Sequence, residues 1–156
     1  MLIKKNEVKL NGVMLLIGAF EVAYERSLNN DSSAGISVFI PFDREVFNDE
    51  LNFYVSPYYR VYFSKKYAAG FFVEGFGMFS SMKIEEYYYA PNGAFSSYSE
   101  ENYSDFALGL GVGGKWVTKR GIVFELVGGV GRNLFNTDAT DISIVGKFGF
   151  NLGYRF

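Results

Sequence analysis

The C-terminal segment of the chain, Asp141 to Phe156, alternates between two kinds of residue without a break. Its even-numbered positions are apolar except for Gly146, and its odd-numbered positions are mostly polar or small. A period of two residues is typical of an extended strand with one apolar face. The segment is longer than the roughly 5–6 residues of a typical strand, and it exceeds the roughly 9–11 tilted residues that cross a bilayer core. The pattern therefore favours a strand of a membrane barrel.

The same alternation recurs along the chain and predicts eight strands. The predicted strands are Glu7–Leu16, Phe20–Leu28, Gly35–Phe42, Leu51–Phe63, Ala69–Met82, Asp105–Val117, Ile122–Gly131 and Asp141–Phe156. Short turns are predicted at 29–34, 64–68 and 118–121, and the connections at the opposite end near 17–19, 43–50, 84–104 and 132–140. Short turns at one end and mostly longer loops at the other are typical of bacterial outer-membrane barrels, which have an even number of antiparallel strands. We therefore predict one domain over residues 1–156, an all-β, eight-stranded, antiparallel, up-and-down transmembrane β-barrel.

Two segments allow more than one interpretation. The apolar run Val13–Phe20 follows several lysines, as the apolar core of a signal peptide does, but no A-x-A-like cleavage site comes after it. We assign this run to the end of the first strand, the tight connection near 17–19 and the start of the second strand, because its removal would delete the first strand from a set that otherwise counts to eight. Residues 85–104 are rich in Tyr, Ser, Asn and Glu, and they are predicted to form a loop or strand extensions beyond the bilayer. Tyr- and Ser-rich surfaces suit adaptable recognition, so this stretch is either a binding surface or a solvated loop.

A soluble, lipocalin-like ligand-binding barrel is the alternative architecture, because it also closes eight strands. In that fold the apolar face points inward and the charged face meets water. Here the face that carries the charges also carries glycines, namely Gly109, Gly111, Gly113, Gly129, Gly149 and Gly153. Glycine weakens a solvated strand, whereas small residues make room for Lys and Glu side chains in a narrow lumen. The pattern favours the membrane barrel.

The polar faces of the strands carry a nearly balanced set of charges. These predicted lumen charges are Lys9, Glu21, Glu25, Arg60, Glu74, Lys115, Glu125, Lys147 and Arg155. An eight-stranded barrel is just wide enough for side chains to fill it, and charges removed from water must be paired and hydrogen-bonded. We therefore expect salt bridges that close the lumen and fix the strand register. The alternative is a narrow ion-conducting pore or a proton-binding site.

Aromatic residues gather near the strand ends at one rim of the predicted barrel. They are Tyr24, Tyr59, Phe63, Trp116, Tyr154 and Phe156. Aromatic residues form girdles at the interfaces of membrane barrels. We predict such a girdle at this rim.

Composition excludes several classes of function. Lys and Arg total 15 against 17 Asp and Glu, for a formal net charge of -2, and no clustered basic face points to nucleic acid. Neither Cys nor His is present. Without them there is no Ser-His or Cys-His nucleophile pair and no usual zinc site. We expect a protein that is not an enzyme and that needs no cofactor or metal.

Two stretches resemble known outer-membrane barrels. Asn6–Asn11 and Phe20–Arg26, reading NEVKLN and FEVAYER, resemble the opening of small barrels of unknown function from Bacteroidetes. The ending Gly153–Phe156, with Tyr154 and Phe156, resembles the C-terminal signal that the barrel assembly machinery recognises in its clients. As architecture, the whole chain is similar to the eight-stranded barrels of the OmpA and OmpX type.

The resemblance implies a location and partners but no activity. It implies the outer membrane of a Gram-negative bacterium, with outer-membrane lipid, lipopolysaccharide and the barrel assembly machinery as partners, and a larger membrane complex as a further candidate. Known enzymes of this barrel class, namely lipid A deacylases, palmitoyl transferases and omptin proteases, use a catalytic histidine that this chain lacks. We therefore expect a structural, anchoring or surface-binding role.

Overall fold

The computed structural model describes residues 3–43, 51–134 and 144–156. Its elements are β1 (Asn6–Asn11), α1 (Gly12–Ile17), β2 (Ala19–Ser27), β3 (Ser32–Pro41), β4 (Leu51–Tyr62), β5 (Gly70–Tyr89), β6 (Phe95–Val117), β7 (Ile122–Asn133) and β8 (Ile144–Arg155). Each strand pairs antiparallel with its neighbours in sequence, and β8 pairs with β1 to close the barrel. The predicted fold class, an eight-stranded antiparallel up-and-down barrel, is confirmed.

The first and last strands meet at the same end of the barrel. The Asn6 amide donates to the Phe156 carbonyl at 3.1 Å, and the Phe156 amide donates back to the Asn6 carbonyl at 2.7 Å. The β2–β3, β4–β5 and β6–β7 connections lie at this end, which we call the turn end, and the opposite end is the loop end. Closure leaves no unpaired edge along the joined strands, and an open edge is the main hazard of a β-sheet.

The first strand is shorter than predicted. β1 ends at Asn11, and residues 12–17 form the helix α1 instead of the second half of a strand. The Asn11 side chain caps this helix by accepting from the amides of Val13 and Met14 at 3.1 and 3.4 Å. Gly18, with φ of 111°, ends it in the left-handed conformation that glycine adopts without strain. The run from 13 to 17 is apolar at every position, so it lacks the alternation that a barrel strand needs.

The β5–β6 hairpin extends well past its neighbours at the loop end. β5 has 20 residues and β6 has 23, and their pairing continues from Gly70↔Lys115 to Tyr89↔Phe95. Of the two predictions for residues 85–104, strand extension is therefore the one that the structure shows. The predicted connections 43–50 and 132–140, and the predicted start of the last strand at Asp141, fall largely outside the described residues. The described part of the chain contains no helix that is long and apolar enough to span a membrane.

Alternation sorts the side chains between the two faces of the wall. In β6, Leu108, Leu110 and Val112 point outward and are 52–69% exposed, as predicted, while the glycines between them face the lumen. Large lumen side chains are paired across the strands with glycine: Glu74 lies opposite Gly111. A Cβ on Gly111 would come within 3.1 Å of the Glu74 Cγ. Glycine in these strands therefore provides the space that lumen side chains occupy.

Candidate functional site: the charged lumen

All nine predicted lumen charges are buried inside the barrel. Their exposed fractions range from 0% for Glu25 and Glu125 to 8% for Lys147. They come from seven of the eight strands, since only β3 contributes none of them. Alternation along each strand directs these side chains inward, and the closed barrel brings strands that are distant in sequence within contact distance across the lumen.

Glu25 lies at the centre of this cluster, and each of its carboxylate oxygens receives three donors. Oε2 accepts from Lys9 Nζ at 2.5 Å, Arg60 Nη1 at 2.9 Å and Tyr58 OH at 3.0 Å. Oε1 accepts from three further groups: Lys115 Nζ at 2.6 Å, Ser33 Oγ at 2.6 Å and Tyr62 OH at 2.7 Å. A buried carboxylate must have its lone pairs satisfied, and this one is saturated.

Arg60 connects three strands through its guanidinium group. Nε donates to Glu74 Oε2 at 2.7 Å, while Nη1 and Nη2 form a two-point contact with Glu125 at 2.6 and 2.8 Å. With the Glu25 contact, this one side chain of β4 reaches carboxylates of β2, β5 and β7. The guanidinium also lies between two rings, 4.5 Å from the centroid of Tyr58 and 4.2 Å from that of Phe72. Arginine suits such a position because its planar group binds carboxylates at its edge and rings at its faces.

Glu7 belongs to the same cluster, although sequence reasoning did not select it. Its side chain is 1% exposed. It accepts from Lys115 Nζ at 2.8 Å and from Arg155 Nε at 2.7 Å. With Glu7 included, the set has five carboxylates and five cations, so its formal charges cancel. Glu7 shares the odd numbering of Lys9 and Asn11, and extending the polar face of the first strand by one more residue would have found it.

Two lumen carboxylates, Glu74 and Glu21, lie nearer the loop end and have fewer cations around them than Glu25 has. Lys147 Nζ is 3.0 Å from Glu74 Oε1, close enough for an ion pair but not directed as a hydrogen bond. The same ammonium group lies 4.8 Å from the Tyr58 ring centroid and 5.0 Å from that of Phe76. Glu21 accepts a short hydrogen bond from the Tyr54 hydroxyl. It is the one member of the set for which the described residues show a hydroxyl contact in place of an ion pair.

Apolar side chains lie on both sides of the charges along the barrel. Toward the loop end, a buried cluster contains Ala19, Phe39, Tyr54, Tyr58, Phe76, Met78 and Ala107. Met14 of α1 packs against it, and Phe39 and Tyr54 stack with their centroids 4.6 Å apart. Toward the turn end, a second cluster contains Tyr62, Ala68, Phe72 and Val127. Glu7 and Arg155 lie beyond the second cluster, opposite each other at the turn end of β1 and β8.

The β4–β5 turn folds over the mouth at the turn end. Ala68 is fully buried, with a φ of 40°. Its amide donates to the Asn30 carbonyl at 2.8 Å, which ties two neighbouring turns together. Arg155 holds this turn from β8, because Nη1 donates to the Tyr67 carbonyl at 3.0 Å and Nη2 to the Ala68 carbonyl at 2.6 Å. Sequence reasoning placed Arg155 in the lumen but did not foresee that it would bind a turn.

Tyr58, Tyr62, Ser33 and Asn151 are further members of the cluster that sequence reasoning left out. Asn151 Nδ2 donates to Glu125 Oε1 at 2.8 Å, and the other three donate to Glu25. All four lie at inward-facing positions of their strands, so the alternation itself was the available signal. Uncharged side chains are hard to select from alternation alone, because nothing in a sequence says which of them reach a carboxylate across the barrel.

The predicted aromatic residues all point outward near the turn end. Tyr24, Tyr59, Phe63, Trp116, Tyr154 and Phe156 are 43–65% exposed. Each lies within three residues of the end of its strand. A second outward-facing group, not predicted from the sequence, lies near the loop end and includes Phe20 and Phe42, whose ring centroids are 4.9 Å apart. The wall therefore has outward aromatic residues near both ends.

The chemistry that the lumen supports is electrostatic. No group of three or more His, Cys, Asp or Glu residues suited to a metal ion occurs in the described ranges. The carboxylates of Glu25 and Glu125 are each held by several cations, and such groups are fully engaged in hydrogen bonds. The contacts join strands that lie across the barrel from each other.

Comparisons with known proteins support the architecture. No family model and no curated protein sequence matches the chain. Among solved structures, the N-terminal β-barrel domain of Pseudomonas aeruginosa OprF is similar, with a TM-score of 0.62 and 11% identity over 98% of both chains. The outer membrane protein Ail of Yersinia pestis is 13% identical over 99% of this chain and 100% of its own, with a TM-score of 0.41. At these identities, the likeness to the OprF domain shows the fold alone.

Proposed function

We propose that this chain is an integral outer-membrane β-barrel protein of a Gram-negative bacterium with a structural, anchoring or surface-binding role. The observation that carries the proposal is the outer wall. Outward side chains such as Leu110, Val130 and Phe148 are 54–69% exposed, while the charged side chains of the same strands lie in the lumen. Such a surface is stable in lipid but not in water, since large exposed apolar patches promote association. The 9–12 residues of β2, β3, β4, β7 and β8 also suit the roughly 9–11 tilted residues of a bilayer crossing.

The lumen is proposed to be closed to ions. The five carboxylates and five cations of the set are buried there, a sixth buried carboxylate, Asp105, lies on the inward face of β6, and two buried apolar clusters pack among them. A permeating ion would have to displace cations such as Arg60, whose guanidinium already contacts Glu25, Glu74 and Glu125. Breaking one partner of a buried pair costs about 3–5 kcal/mol, so spontaneous opening is rare. A non-enzymatic role follows from the same contacts, because they leave the central carboxylates no room to act as an acid or base.

The β5–β6 hairpin is the proposed binding surface. Its tip carries Tyr89 and Phe95, which are 66% and 61% exposed and whose rings meet edge to face at 6.4 Å. Exposed aromatic residues at the tip of a hairpin suit recognition, because they provide contact area with few rotatable bonds. Lipopolysaccharide and a larger membrane complex are the proposed partners at this end. The barrel assembly machinery is the proposed partner of the C-terminal strand during biogenesis.

Refolding into lipid vesicles tests the membrane location. The purified chain should insert, migrate faster on a gel before boiling than after it, and resist protease along its strands. Failure to insert, together with a folded state in detergent-free buffer, would instead support the lipocalin-like barrel.

Planar-bilayer recording tests the closed lumen. Wild-type protein should give no steady openings. Well-resolved openings in the wild type that vanish on altering Arg60 or Glu125 would show a narrow pore instead.

A further inference from the structure

The outer wall near the turn end has a groove with an open glycine, Gly128, at its floor. It has a volume of about 510 Å³ and runs across β5, β6 and β7 to β8. Gly128 forms the open floor, the Trp116 ring lies over Gly114, 3.2 Å from where a Cβ would be, and Phe71, Leu126 and Phe148 form the sides. A Cβ on Gly128 would find its nearest neighbours only at 4.0 Å. Packing does not require glycine at this position. The open space that the glycine leaves is apolar, and the volume of the groove is close to that of one acyl chain.

Basic residues gather at the rim next to this groove. Among the described residues, the turn end carries Lys4, Lys5, Arg26, Lys65, Lys66, Lys119 and Arg120 against a single exposed acid, Asp31. Four of these cations lie in the two turns that flank the groove. Lys66 precedes the lining residue Gly70 by four positions, and Lys119 follows Trp116 by three. All four side chains are exposed, so their charges are available to a ligand.

We propose that this groove binds a phospholipid with an anionic headgroup. One acyl chain lies over Gly128, beside the Trp116 ring, and the headgroup lies at the β4–β5 and β6–β7 turns. Charge complementarity selects the occupant, because a basic residue near a membrane surface strengthens binding of anionic lipid by about five-fold. The apolar sides select a hydrocarbon chain, and the glycine floor lets that chain lie close to the backbone. A lipid can reach the groove only if the barrel lies in a membrane, so the site depends on the proposed function.

Trp116 allows a direct measurement, because it is the only tryptophan in the chain and lines the groove. The barrel is refolded into vesicles that contain brominated phosphatidylglycerol or brominated phosphatidylcholine, and quenching of its fluorescence gives the relative affinity of the two lipids. Wild-type protein should prefer phosphatidylglycerol several-fold. Lys119→Gln/Arg120→Gln should abolish that preference, because each of the two lost cations strengthens binding by about five-fold.

Lys5→Gln/Arg26→Gln is the matched control for charge. It removes two cations from the same rim at β1 and β2, away from the groove, and should leave the preference nearly unchanged. An equal loss in this control would show a diffuse field around the rim and would overturn the site. Equal quenching by both lipids in the wild type would overturn it as well.

Gly128→Val tests the groove without touching a charge. The valine side chain should occupy the open floor of the groove and abolish the preference. Gly146→Val, at an outward glycine with nothing within 4 Å of a built Cβ, should retain it. Retention of the preference in both variants would refute the acyl-chain position.

Faster gel migration before boiling confirms that each variant has folded. If Lys119→Gln/Arg120→Gln does not fold, Lys65→Gln/Lys66→Gln replaces it. Chains that fail to insert in any vesicle would contradict the membrane location, whereas inserted barrels without lipid preference contradict only the site.

Discussion

Replacing Glu25 with glutamine should destabilise the barrel more than any exposed charge change. The carboxylate receives six hydrogen bonds, three on each oxygen. A glutamine keeps the shape, but it has one oxygen and turns an amide donor toward three of those donors. Removing one partner of a buried ion pair costs about 3–5 kcal/mol. In the variant, Lys9 and Arg60 would still form ion pairs with Glu125, and Lys115 would still pair with Glu7. We therefore expect a loss of stability at the lower end of this range, about 3 kcal/mol.

Urea titration in lipid vesicles measures this loss, with circular dichroism reporting the strands and gel migration before boiling reporting the folded fraction. Asp31→Asn is the control, because it removes an exposed acid at the turn end and should stay within about 0.5 kcal/mol of wild type. Adding Lys115→Met to Glu25→Gln should recover part of the loss, since it removes one excess buried cation. A Glu25→Gln barrel that folds fully and loses less than about 1 kcal/mol would refute the view that these contacts hold the lumen together.

Three further predictions concern the wall and the C-terminus. Leu110→Arg should lower the stability of the barrel by about 2–4 kcal/mol if the residue lies near the bilayer midplane. A lipid-soluble maleimide should label a cysteine placed at position 110 but not one at 111. The reverse labelling would mean that the lipid-facing and lumen-facing sides are exchanged. Gly111→Ala should be tolerated, because its Cβ needs only small shifts of the Glu74 Cγ and the Gly128 carbonyl, both at 3.1 Å. Gly113→Ala should cost about 1–3 kcal/mol of stability, because its Cβ meets the Leu126 carbonyl and lies 2.5 Å from the Phe72 ring. Equal losses of stability in the two variants, measured by urea titration, would contradict this explanation. Phe156→Asp should block assembly while the chain is still exported, and normal heat-modifiable migration of that variant would contradict the assembly-signal hypothesis.

Alternation of side chains along the sequence determined most of the architecture. A two-residue period follows from the backbone of an extended strand alone, so the strand count, the two faces of the wall and the burial of Arg60 or Lys115 could be predicted locally. The same reasoning failed at Leu16, where the period does not hold. There, the capping residues Asn11 and Gly18 and an unbroken apolar run are local signals of a helix, and they carried more information than the alternation that precedes them.

Contacts between strands that are far apart in sequence were decided only by the tertiary structure. Alternation says that Glu25 points inward, but the closure and register of the barrel determine that Lys115, 90 residues away, donates to it. Likewise, no local pattern predicts that the carbonyls of Tyr67 and Ala68 are bound by Arg155 of the last strand. Sequence periodicity determines the direction of a side chain, because direction is a property of its own strand. The identity of its partner depends on how far each strand is staggered around the barrel, and only the closed sheet sets that.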